Sequence, residues 1–151
     1  RKVPPPALHY REARLWRSSA LGRKARRRQP DITDSPHAAA ALADCRADCG
    51  AALFVLTMGP DGAHGFAGAV EMRVPSAPVA QMVDTVGAGD TFMASILAWV
   101  IETGRTGRAA LEDISSDDLR TVLQRAALAA AINCGRQGCN PPTRAELGLQ
   151  D

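Results

Sequence analysis

From Ser35 onward the apolar positions fall into two alternating periods. Ser35 and Pro36 open an alanine-rich stretch over residues 37–48, with Leu42 and Cys45 on one side and Gly50 after it. A serine cap, a proline in the first turn and a terminal glycine predict a helix. Residues 51–57 are a continuous apolar run, as expected for a strand buried on both faces. Met58-Gly59-Pro60-Asp61-Gly62 predicts a turn. Residues 63–66 and 70–74 are spaced to pair as a hairpin around Ala67-Gly68. Residues 78–83 are a short apolar run, read as extended chain. After it, Phe92, Ile96, Trp99 and Val100 recur at helical spacing up to Gly104. Ser115-x-x-Asp118 resembles a capping box. Leu119, Leu123, Ala126, Ala127 and Ala130 continue that helix to about Cys134, and Gly135 stops it. Strands alternating with helices predict an α/β layered fold. No internal repeat is visible.

Composition adds an asymmetry. The net charge of +2 hides ten Lys/Arg and one acid in residues 1–28, a balance of +9, against −7 in the remainder. The part with regular patterning is therefore acidic. Pro4-Pro5-Pro6 favours extended chain, and residues 1–34 read as a basic, poorly ordered segment. A nucleic-acid arm is the other reading of such a run, but a charge run without a binding module is weak ground. No nucleic-acid partner is expected. At 46% hydrophobic residues and with no apolar run of membrane-spanning length, no membrane partner is expected either. No secretory signal is recognisable before Pro30. Cys45, Cys49, Cys134 and Cys139 lack zinc-type spacing, so reduced thiols are the simpler reading, which fits the cytoplasm.

The candidate chemistry lies in Asp84-Thr85-Val86-Gly87-Ala88-Gly89-Asp90-Thr91. Extended chain, glycine turn and helix start form a layout that holds an anion. Glycines admit a close ligand, and the first-turn N–H groups and the helix dipole favour negative charge. No Lys lies near, which excludes a P-loop. Phe92 stands where a dinucleotide fingerprint needs a small residue. Asp90 would repel a phosphate unless it has another task, such as accepting the proton of an attacking hydroxyl.

As a whole, this stretch resembles the C-terminal signature of the ribokinase/PfkB family of sugar kinases. Three further stretches resemble members of that family. Tyr10-Arg11-Glu12-Ala13-Arg14-Leu15-Trp16 is similar to an Asn-Tyr-Arg-x-x-Leu-Trp stretch of fructokinase-type members. Thr57-Met58-Gly59-Pro60-Asp61-Gly62 looks like a Thr-x-Gly-x-x-Gly element beside the nucleotide phosphates. Ala131 to Leu147 resembles the C-terminal end of bacterial fructokinases, with Cys139 where Ala is more usual. The resemblance spans residues 35–151, the C-terminal, nucleotide-binding part of the family domain. It implies a three-layer α/β/α fold with a mainly parallel sheet.

The resemblance also implies roles. Asp90 would be the catalytic base, with the N–H groups of Gly87, Ala88 and Gly89 as anion hole. Thr57, Gly59 and Gly62 would border the nucleotide phosphates and Asn133 the adenine. Asp84 would help hold a potassium-type cation. ATP and Mg2+ are the implied cofactors, with K+ in addition. A small sugar, fructose by the best match, is the implied substrate, and a homodimer the implied full-length assembly. The family's sugar-holding half lies upstream of nearly everything here, so the 151 residues alone are expected to be inactive. A truncated, non-catalytic nucleotide-binding protein is the alternative.

Overall fold

The computed structural model describes residues 46–149 and, ahead of them, the strand His9–Glu12. Four strands form one sheet in the order β1 (His9–Glu12), β2 (Leu53–Thr57), β3 (Ala63–Ala67), β4 (Val70–Val74). The helices are α1 (Ala88–Glu102), α2 (Arg108–Glu112) and α3 (Ser116–Cys134). Short 3-10 turns stand at Gly59–Asp61 and Ala145–Leu147. No helix among the described residues is long and apolar enough to cross a membrane.

β1 runs parallel to β2, with His9 opposite Phe54 and Glu12 opposite Thr57. β2–β3 and β3–β4 are antiparallel, because tight turns join them. The described part of the sheet is thus mixed, and its parallel pairing lies at β1–β2. Gly62 closes the first turn at φ 96°, and a Cβ there would stand 2.0 Å from the Val74 carbonyl oxygen. β1 falls within the segment read from sequence as poorly ordered. That reading missed a strand of four residues, too short to show a period beside the charge of its neighbours.

One sheet face presents Leu53, Val55, Ala63, Ala67 and Val74 to Phe92, Ile96, Trp99 and Val100 of α1 and to Leu119, Val122, Leu123 and Ala126 of α3. The four α3 residues are fully buried, and each large aliphatic side chain among them contributes about 1.5–3 kcal/mol. Gly65 lets α3 come close: a Cβ there would lie 2.8 Å from Leu123 Cδ1. The other face carries buried Phe54, His64 and Phe66. The guanidinium of Arg46, on a helical turn over residues 46–49, sits 4.9 Å from the Phe66 ring centroid and donates to the Gly68 carbonyl at 2.6 Å. Helical chain therefore covers both faces, giving the layered α/β fold.

α3 starts as its sequence predicts, with the Ser115 hydroxyl accepting from the Asp118 N–H at 3.1 Å. Residues 78–83 are not a strand. The N–H groups of Val83 and Asp84 instead donate to the Cys134 carbonyl, at 2.9 and 3.2 Å. An orphan carbonyl at the end of α3 thus takes the donors that a neighbouring strand would have taken. The first residues of the helix expected over 37–48, residues 13–16 of the Tyr10–Trp16 stretch, the arginine-rich run and Cys45 lie outside the described residues.

Candidate functional site

Contacts along α3 fix which elements share an end of the fold. Gly68, at the β3–β4 turn, abuts Glu112 just before α3, and Gly65 lies over Leu119 and Leu123. Further along α3, Cys134 meets Val83 and Asp84. The 59–61 turn, at the opposite end of β3 from Gly68, therefore lies at the same end of the layer as the start of α1. Thr57, Gly59 and Gly62 thus stand at the same end of the layer as Gly87–Asp90 and Asn133, the end past the carboxyl terminus of β2. No direct contact joins Thr57, Gly59 or Gly62 to the glycine turn in the bonds described.

The glycine turn is built around Gly87. It is the N-cap of α1 with φ 76° and ψ 2°, a left-handed conformation that favours glycine. Gly89, read from sequence as a close-approach position, lies inside the first helical turn, so the left-handed demand falls on Gly87 instead. A Cβ at Gly87 would also stand 2.3 Å from Cys139 Sγ. Ala88 donates to the Thr85 carbonyl at 3.2 Å, so one of the three expected anion donors is already engaged. The N–H of Gly89 belongs to the first turn, where no helical carbonyl lies behind it. Asp90 is the third residue of α1 and its side chain is exposed. Below it on α1, Thr91 and Ser95 are buried, and their hydroxyls have no partner among the described residues.

Asp84 and Asn133 brace this turn from two sides. Asp84 Oδ1 accepts from the Val86 N–H at 3.0 Å and Oδ2 from the Gly138 N–H at 3.0 Å. These backbone donors, Val86 first, hold its carboxyl below the usual range. Asn133 is fully buried; its Nδ2 donates to the Val86 carbonyl and its Oδ1 accepts from the Asn140 N–H, both at 2.8 Å. The neighbouring Cys134 thiol is pushed up, by burial first and by the charge of Asp84 second. A carboxylate offers about four lone-pair sites. The Val86 and Gly138 donors each take one oxygen of Asp84, and its carboxylate charge is of the sign that suits a cation. Among the described residues no group of three or more His, Cys, Asp or Glu side chains is placed to hold a metal ion.

The sequence reading did not anticipate the contact of Cys139 with Gly87, nor the seat of the 143–147 segment. There the Glu146 carboxylate accepts from the Thr143 N–H at 2.8 Å and pairs with Arg136, and both contacts lower its pKa. Thr143-x-x-Glu146 is itself a capping-box spacing, so that signal was available in the sequence.

A family model described as "pfkB family carbohydrate kinase" matches residues 11–146. The chain belongs to the pfkB family of carbohydrate kinases. Relatives agree in fold. A fructokinase from Rhizobium leguminosarum bv. trifolii is 55% identical over 49 residues, which are 32% of this chain and 15% of that protein. A ribokinase from Arabidopsis thaliana, solved with ribose and ATP, superposes with a TM-score of 0.56 at 28% identity, over 76% of this chain and 34% of that one. A ribokinase from Giardia lamblia gives a TM-score of 0.63 at 24% identity, over 76% of this chain and 36% of its own. This pfkB-family chain thus spans about a third of the length of these ribokinases, and the fold is ribokinase-like. The family match reaches back to residue 11, within β1.

Proposed function

We propose that the chain carries the base and the phosphate-binding turn of an ATP-dependent sugar kinase, with fructose as the sugar tried first. The observation that carries this reading is the turn itself: a left-handed Gly87 starting α1, with Asp90 exposed in the first turn of the helix. Asp90 takes the proton of the sugar hydroxyl as its oxygen attacks the γ-phosphorus and the bond to the ADP oxygen breaks. The N–H groups of Gly87 and Gly89 stabilise the charge on the transferred group, helped by the dipole of α1. Ala88 joins them by turning its N–H from the Thr85 carbonyl to phosphate. Thr57, Gly59 and Gly62 border the nucleotide phosphates. Asn133 stands on the adenine side, but with both ends of its amide committed to backbone it acts there through the loops it holds and not on the base itself. Asp84 would supply carboxylate charge to a bound K+, with its Val86 and Gly138 contacts fixing its orientation. Bound Mg2+ supplies charge neutralisation between the phosphates. The fructose assignment rests on the 49-residue match to a fructokinase, and the ATP assignment on nucleotide-bound ribokinase neighbours.

Positioning the sugar at the γ-phosphate is worth about 7–11 kcal/mol in well-oriented reactions. The family's sugar-holding part is not recognisable in residues 35–151, so the purified 151-residue chain is expected to phosphorylate fructose far below the usual ~1–100 per second. A chimera with residues 35–151 in place of the matching part of the Rhizobium fructokinase is expected to be active. Asp90→Asn in that chimera should lower turnover by about a hundredfold to ten-thousandfold, with ATP affinity little changed. A coupled ADP-release assay reads both. Near-normal turnover of the Asp90→Asn variant would remove Asp90 from the mechanism, and ATP binding by an inactive chimera would support the non-catalytic alternative.

A further inference from the structure

Two polar side chains engage four backbone groups on two separate loops. Val86, next to Gly87, has its N–H held by Asp84 and its carbonyl held by Asn133. On the 138–140 loop, the Gly138 N–H is held by Asp84 and the Asn140 N–H by Asn133. The loop's next contact with the turn is direct: Cys139 lies so close to Gly87 that a Cβ on Gly87 would meet its Sγ and its own Cβ. Asn133 is fully buried, and it faces an N–H with its oxygen and a carbonyl with its nitrogen. A neutral amide satisfies both at once, whereas an ionised carboxylate offers acceptors alone. Replacing either end would leave the Val86 carbonyl or the Asn140 N–H without its side-chain partner.

We propose that Asn133 is a positioning residue for the phosphate turn. It holds the peptide ahead of Gly87 in the left-handed turn, and it couples that turn to the 138–140 loop, so that phosphate bound at the start of α1 tightens a loop about 50 residues further along the chain. The inference rests on the reading of the Gly87–Asp90 turn as an anion site. It assigns Asn133 an effect on phosphate that does not depend on any base.

Inorganic tripolyphosphate, which carries the phosphates of ATP without the nucleoside, separates the two roles. Titration calorimetry of the 151-residue chain is run with tripolyphosphate and with ATP, for the wild type and for Asn133→Asp. This variant keeps an oxygen for Asn140 but loses the donor to Val86. Asn133→Asp is expected to weaken both ligands by the same factor, about tenfold, the scale of ordinary coupling between sites. A loss confined to ATP would make Asn133 an adenine contact and overturn the proposal. Should Asn133→Asp not fold, amide exchange in the wild type decides. Tripolyphosphate is expected to slow exchange at Gly138 and Asn140 by several-fold, and unchanged exchange with the ligand bound would overturn the coupling. A wild-type chain that binds neither ligand would overturn both this proposal and the anion-site reading; one that binds both without coupling would overturn the proposal alone.

Discussion

At Gly87 two demands fall on one position. The backbone stands at φ 76°, and Cys139 fills the space where a side chain would go. The two can be separated by experiment. Gly87→Ala alone should cost about 1–2 kcal/mol for the left-handed backbone, with the clash in addition. In a Cys139→Gly background, which removes both crowding side-chain atoms, only the backbone part should remain. Urea unfolding of the four chains of this double-mutant cycle measures the difference, and a cost unchanged by Cys139→Gly would mean that the loop moves aside freely. The motif was legible in the sequence because glycine, aspartate and helix start follow one another in the chain. The crowding by Cys139 was not, because it is a contact between segments about fifty residues apart that no local pattern encodes. Asn133 was visible as a residue worth naming, but the two loops it joins emerge only in three dimensions.

β3 shows the same division at the scale of an element. The spacing of residues 63–66 and 70–74 around Ala67-Gly68 gave the strand and its hairpin partner, and Ala63, Gly65 and Ala67 face α3. What the spacing could not give is the state of the opposite face. There His64 is buried, its ring centroid 4.2 Å from that of Phe66, and its Nε2 bonds Glu71 Oε1 on β4 at 2.7 Å. Burial is the larger influence and lowers the pKa of His64 from 6.5; the Glu71 bond opposes it, and Arg73 across the strand pair adds to the lowering. The folded state therefore favours neutral His64. Its contribution to stability is fully present above 6.5 and is lost as pH falls from there through the folded value. The carboxyls with lowered values, Asp84, Glu102 and Glu146, have reference values of 3.8, 4.5 and 4.5 and lose their contributions only below those. Thermal unfolding between about pH 7 and pH 5 thus separates the imidazole from these carboxyls, and the His64→Gln comparison separates it from the other histidines. The wild type should lose stability across that window, and His64→Gln should lose less. Parallel curves would show that this face admits the charged ring.

For the molecule as a whole, an ion-pair tie binds the last described segment to the two long helices. Arg125 of α3 holds Glu102 of α1 with both guanidinium arms, at 2.6 and 3.0 Å, and Arg144 reaches the same carboxylate from the 143–147 segment. The Arg125 side chain is only 11% exposed, so its loss of partner is costlier than at an ordinary surface pair. Glu102→Gln should lower stability by about 1–2 kcal/mol, between the surface and buried limits. The part due to half-exposed Arg144 should fade in high salt and the part due to Arg125 should persist, as urea unfolding at low and high salt would show. Equal losses at both salt concentrations would assign the whole effect to Arg125. The layering was readable from alternating periods, whereas this tie was not, since charged residues on separate helices carry no mark of their partners. The parallel β1–β2 pairing bears on how the sheet assembles. Tyr10 meets Val55 across the span of chain between them, while β2, β3 and β4 meet their neighbours through tight turns. Of the three pairings, this one closes the longest loop and surrenders the most chain entropy. The hairpins can therefore form around α3 first, with β1 zipping on last and peeling off first as conditions worsen.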